Sequence, residues 1–169
     1  MGIANKHKTE GSSLISDKRL WHILENVPTL LRHFSSDELR GFLNTGELVE
    51  LDAGNILYQE QEGEIDNGWL IVSGAVRLSK QNELLQVGHP GEFLGETFLF
   101  PSGPPLTSAI TEEPSVVIRF DRKKVVEFFR KSPERLFMRF IRNLLECQRI
   151  KIEQQYIRQI QLTQANSKS

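Results

Sequence analysis

The chain has 169 residues, with 21 lysines and arginines against 22 aspartates and glutamates, for a formal net charge of -1. That balance gives no general pull toward nucleic acid, whose binders carry a clustered basic surface, so nucleic acid is disfavoured as a partner. The lone Cys147 has no internal disulfide partner, no apolar run reaches the length of a signal peptide or membrane span, and Lys6 breaks the myristoylation pattern after Gly2. A cytoplasmic protein without membrane contact is expected. The length suits one domain plus an appendage, burying about two thirds of its unfolded surface.

Residues 1–15 are polar and lysine-rich without periodicity and are expected to form a loose tail. Ser16 can cap a helix with Asp17 in its first turn and Leu20, Ile23 and Leu24 on its apolar side, which Pro28 breaks or restarts. Ser36-Asp37-Glu38 signals a second short helix that buries Leu39, Phe42 and Leu43 and closes near Gly46. Beyond Gly46 the period becomes strand-like, with glycine punctuation from Gly54 to Gly103. Strands are expected over 48–51, 55–58, 68–72, 75–78, 84–87 and 115–120, with Ser73-Gly74 as a tight hairpin between the third and fourth. No helical pattern separates consecutive strands, which argues for a β-sandwich or barrel.

Between 90 and 109 the pattern is a strand, a tight turn and a stub of helix. Gly91 and Gly95 bracket a short apolar run, Glu96 and Thr97 to Phe100 make one helical turn, and Pro101 stops it. Glycine lets a ligand approach the backbone, and free N–H groups at a helix start favour an anion such as phosphate; a plain turn is the alternative. Phe98 and Phe100 are expected to pack beneath it, and Trp69 to lie in the core.

After Asp121, Val125, Val126, Phe128 and Phe129 mark a helix, and Ser132-Pro133-Glu134 reads as cap, first-turn proline and acid for another. That second helix is expected over 133–163, roughly 45 Å and longer than a small domain is wide. Leu136, Phe140, Leu144 and Cys147 make a stripe near its start, continued by Ile150, Ile152, Tyr156, Ile157 and Ile160. Such a helix either folds back on the barrel or pairs with a second copy, and Leu144, Cys147, Ile150 and Ile157 are the expected dimer contacts. The chain thus divides into a tail, a domain over 16–132, a long helix over 133–163, and a polar tail over 164–169.

The order of lead-in helices, a β roll of about eight strands and a long terminal helix resembles the cyclic nucleotide-binding domain family, the module of Crp/Fnr-type regulators, cyclic-nucleotide-dependent kinases and gated channels. The residues that carry the resemblance are Gly54 in Leu51-Asp52-Ala53-Gly54, the Glu62-Gly63-Glu64 turn, Trp69-Leu70-Ile71-Val72-Ser73-Gly74, and Phe93-Leu94-Gly95-Glu96. The implied fold is mainly β with flanking helices, a jelly-roll-like double-stranded β-helix. The implied ligand site, a phosphate-binding cassette, comprises Gly95, Glu96, Thr97, Phe98, Thr107, Ser108 and Ala109.

In that family the cassette glutamate binds the ribose 2′-hydroxyl, amides of the stub hold the cyclic phosphate, and an arginine followed by Ser or Thr and Ala completes the clamp. Here Glu96 and Ser108-Ala109 match, but Thr107 stands in the arginine's place, and no lysine or arginine occurs between Lys80 and Arg119. Three outcomes are open: an empty or self-filled site, a different neutral or cationic ligand, or residual nucleotide binding.

The resemblance implies a non-enzymatic sensory module, with a ligand repositioning the hinge between the two last helices; a structural scaffold is the second reading. No helix-turn-helix pattern follows the long helix, so output is expected through a separate protein effector, unless the chain is part of a longer one. The histidines His7, His22, His33 and His89 are scattered and Cys147 has no histidine near it in sequence, so no metal, cofactor or catalytic centre is expected. Arg119, Arg122, Lys123, Lys124, Arg130 and Lys131 read as a solvated basic face.

Overall fold

The computed structural model describes residues 18–100 and 103–167. The expected N-terminal tail, the Ser16 cap and the stop at Pro101 lie outside those residues. The lead-in comprises α1 (Trp21–Glu25), a 3-10 turn (Thr29–Leu31) that restarts after Pro28, and α2 (Ser36–Leu43). Eight strands follow: β1 (Gly46–Leu51), β2 (Ile56–Tyr58), β3 (Asn67–Ser73), β4 (Val76–Lys80), β5 (Glu83–Gly88), β6 (Phe93–Leu94), β7 (Ser108–Thr111) and β8 (Ser115–Asp121). Helices α3 (Arg122–Lys131) and α4 (Glu134–Asn166) close the chain.

The strands form two four-stranded sheets, ordered β1-β8-β3-β6 and β2-β7-β4-β5, with every pairing antiparallel. The expected mainly β roll with flanking helices is therefore present. The expected Ser73-Gly74 hairpin is not: β3 pairs with β6 and β8, and β4 with β5 and β7, so the chain crosses from one sheet to the other there. Gly74 makes the crossing possible, because it sits at φ +86° and a Cβ would lie 2.7 Å from the Ser115 backbone. The tight hairpin is β4–β5 instead, turned by Gln81 and Asn82 at φ 50° and 67°.

Helix starts also differ from the sequence signals. α2 is capped by Ser35, one residue before the expected signal, through a capping box with Glu38. The Ser35 backbone amide holds the Glu38 carboxyl below its ordinary value; burial opposes this, and Arg139, 2.9 Å away on α4, adds to the lowering. A lowered carboxyl stabilises the fold above its unfolded value and loses that contribution as pH falls through the folded one, so this cap weakens in acid. Ser35→Ala is expected to cost about 1 kcal/mol at neutral pH, seen as a drop of roughly 3 °C in thermal unfolding. Ser132 does not cap α4. Its hydroxyl donates to the Phe128 carbonyl at 2.7 Å and closes α3, while α4 begins at Glu134 after an uncapping Pro133 and runs to Asn166, past the expected end.

The larger core sits between the first sheet and the helices. Phe42 of α2 meets Phe120 of β8, Phe128 and Phe129 of α3 and Phe140 of α4. The near half of α4 belongs to this core, with Leu136, Phe140 and Leu144 buried and Cys147 half-buried against it. Asn143 Nδ2 donates to the Leu30 and Arg32 carbonyls at 3.1 and 2.7 Å, fixing α4 to the lead-in. Leu144, one of the expected dimer contacts, is thus taken up within its own chain. From Ile152 to Ser167 every residue is exposed. Among the described residues no helix is long and apolar enough to cross a membrane.

Candidate functional site

Gly95, at φ +64° and ψ 32°, turns the chain out of β6 into a 3-10 stub, Glu96–Leu99. Only glycine suits that turn: a Cβ would face the Asn67 carbonyl at 3.1 Å, Ile65 at 3.2 Å and the Tyr58 ring at 3.7 Å. Phe98 is fully buried and stacks on Phe93 at 6.2 Å between centroids, anchoring the stub in the larger core. Phe100 does not pack beneath it as expected but is 41% exposed. Trp69 is half-buried against the smaller core between the sheets.

Among the described residues Glu96 is the only charged one that is buried. Its Oε1 accepts from Gln148 Nε2 at 2.8 Å and from Lys151 Nζ, both on α4. No cation stands in the place of the clamp arginine, but one reaches the cassette glutamate from a helix more than fifty positions later in the chain. It neutralises the glutamate rather than a ligand. At the other end, Thr107, in the place of the clamp arginine, bonds the Tyr58 phenol. Burial, and then the charge of Glu96, push that phenol far above its ordinary value of 10.0, so it stays protonated throughout the physiological range. Ser108 Oγ accepts from the Glu60 amide at 2.9 Å and Ala109 is fully buried in β7. All four groups at this end are engaged by the protein itself.

Between the roll and α4 lies a cavity of about 420 Å³, walled by β5, the turn before β6, the 28–30 segment and α4. Gln86, Glu92, Glu96, Lys151 and Gln154 are among the polar residues that line it, and Cys147 also borders it. Burial first, and the Glu96 charge second, raise the Cys147 thiol, so it stays protonated and a poor nucleophile. Among the described residues no group of three or more His, Cys, Asp or Glu could hold a metal. Of the expected dimer contacts, Ile150 also borders this cavity, while Ile157 is exposed on the far half of α4.

Arg122, which opens α3, was expected on the solvated basic face, but its side chain is only 22% exposed. Its Nε donates to the Phe98 carbonyl of the stub and its Nη2 to the Ile65 carbonyl at 2.8 Å, while Nη1 lies 3.0 Å from Asp66. The cassette and the hinge helix are thereby joined by one guanidinium. Arg119 likewise pairs with Glu47 at 2.6 Å, so only Lys123, Lys124, Arg130 and Lys131 of the basic run form a solvated face. The signal that could have found Arg122 is its position, immediately after the Asp121 cap, where a side chain on the first helical turn reaches back over the strand ends.

Two antiparallel sheets rolled behind a helical lead-in, a Gly-Glu turn opening a stub, and a hinge helix leading into a long terminal one define a cyclic-nucleotide-type β roll. The chain belongs to the cyclic nucleotide-binding domain family, whose sequence profile matches residues 48–132, half of its length. Among solved structures it is similar to a cyclic nucleotide-binding domain from Methylobacillus flagellatus KT, with a TM-score of 0.69 at 18% identity over 83% of this chain and 80% of that one. It is similar to the catabolite activator protein of Thermus thermophilus, with a TM-score of 0.64 at 19% identity, over 80% of this chain but only 63% of that one. A cyclic nucleotide-binding-like protein from Brucella abortus aligns at 27% identity with a TM-score of 0.56, over 65% of this chain and 97% of that one. No curated protein matches the sequence. The chain is of the regulatory cyclic nucleotide-binding fold.

Proposed function

We infer that the chain is a non-enzymatic regulatory module that does not bind cyclic AMP or cyclic GMP tightly and acts through self-association and a protein partner. The observation that carries this is the occupied cassette, with Glu96 held by Lys151 and Gln148 and Thr107 held by Tyr58. A phosphate entering here finds no arginine. One charge-assisted hydrogen bond is worth about 1.5–3 kcal/mol, so its loss weakens a micromolar site toward the millimolar range. Calorimetry with both cyclic nucleotides is expected to give dissociation constants roughly ten- to a hundredfold weaker than micromolar, and micromolar binding would overturn the reading. Thr107→Arg is expected to raise the affinity about tenfold or more.

Self-association is assigned to the far half of α4. Ile152, Tyr156 and Ile160 are each more than half exposed, and their spacing puts them along one face of the helix. The occupant that fits is a second copy, because an identical stripe on an antiparallel or parallel partner covers both at once. Light scattering on the full chain is expected to give a dimer at micromolar concentration, and Ile152→Ser with Tyr156→Ser a monomer. A wild-type monomer would remove this part of the proposal.

A further inference from the structure

The cavity between the roll and α4 has an unequal exchange of charges on its wall. Glu96 is 5% exposed and cannot turn to water, whereas Lys151 keeps 34% of its side chain exposed and can. Lys151 is therefore the removable member of the pair, and whatever removes it must leave Glu96 a cation. The other charged group on the wall, Glu92, is also a carboxylate, so the cavity holds two negative side chains and one positive. A phosphate-bearing ligand would add negative charge and draw Lys151 off a carboxylate that nothing else can neutralise. A ligand carrying its own cation meets no such penalty. Its volume of about 420 Å³ suits a small molecule, and the amides of Gln86 and Gln154 can donate to and accept from the rest of it.

The geometry points to this cavity as a binding site for a small amine- or guanidine-bearing molecule, whose cation replaces the Lys151 ammonium on Glu96. This rests on the reading that the cassette is closed to cyclic nucleotides. It also gives the site an output. Lys151 is the last part-buried residue of α4, so freeing it loosens the helix where the exposed apolar stripe begins. Ligand occupancy and the pairing of α4 are then linked, and by reciprocity pairing alters ligand affinity.

The test is calorimetry on the full chain with agmatine and 1,4-diaminobutane as probes, against sodium chloride at matched ionic strength. Wild type is expected to bind one equivalent saturably. Lys151→Met keeps the aliphatic stem and removes the internal competitor, and is expected to bind at least tenfold more tightly. Glu96→Gln is expected to lose at least tenfold. Should Lys151→Met unfold on purification, its thermal transition in 1,4-diaminobutane replaces the titration: recovery of the transition by the diamine but not by sodium chloride supports the site, and no recovery overturns it. No amine binding to wild type, or equal binding to wild type and Glu96→Gln, overturns the inference while leaving the nucleotide-free reading intact. Micromolar binding of cyclic AMP overturns both.

Discussion

Lys151→Ala is expected to lower stability by about 3 kcal/mol, read as a fall of roughly 6–12 °C in thermal unfolding. The variant leaves Glu96 buried beside Gln148 alone, and an amide dipole compensates a carboxylate much less well than an ammonium does. The expected value is at the low end for breaking a buried pair because Lys151 itself is one-third exposed and gives up little solvation in the folded state. Adding Glu96→Gln removes the stranded charge and is expected to restore most of the loss. A double-mutant cycle over these substitutions therefore isolates the pair from the packing of the lysine stem. A loss below about 0.5 kcal/mol in Lys151→Ala would show that the contact behaves as an ordinary surface pair.

The second large effect is expected at Arg122. Arg122→Met keeps an aliphatic stem but strips donors from the Phe98 and Ile65 carbonyls, and is expected to cost about 3 kcal/mol. Arg122→Lys is not expected to rescue it, because a single ammonium cannot reach both carbonyls and Asp66 in the fork geometry that a guanidinium provides. Asp66→Asn, at a side chain 64% exposed, is expected to change stability by less than about 0.5 kcal/mol. The location of the effect distinguishes this from general destabilisation. Amide hydrogen exchange in Arg122→Met is expected to rise in 96–99 and 122–131 while the strands of the first sheet stay protected. Uniform loss of protection would mean that Arg122 is merely part of the core's edge.

Much of the roll was legible because its signals are local. Alternation and glycine punctuation placed six of the strands within a residue or two, and the run from Gly95 to Phe98 gave the turn and stub directly. What failed was whatever depends on which sheet a segment joins. Ser73-Gly74 looks like a hairpin turn in sequence, but the same positive φ serves a crossing between sheets, and only pairing distinguishes them. β7 was hidden inside the cassette motif, since Ser108 to Thr111 is short and was read for its chemistry rather than its period.

The site itself was half legible. The absence of a basic residue between Lys80 and Arg119 was plain, but Lys151 is one of several charged residues on a polar helix and nothing local sets it apart. Its role comes from α4 being pinned through Asn143 and Arg139 to the lead-in, which fixes the rotation that turns Lys151 toward Glu96. The same pinning explains why Leu144 was mistaken for a dimer contact. An apolar stripe on a long helix gives no sign of where its own domain stops covering it.

The position of that last held residue has a mechanical consequence. The fifteen residues from Ile152 to Asn166 extend as a rigid rod of roughly 22 Å beyond their support, with Lys151 as the fulcrum. A tilt of about 10° there swings the tip by roughly 4 Å, about three quarters of the 5.4 Å pitch of an α-helix. In the proposed pairing of two copies, a change beside Glu96 would therefore be felt most at the far end of the paired helices.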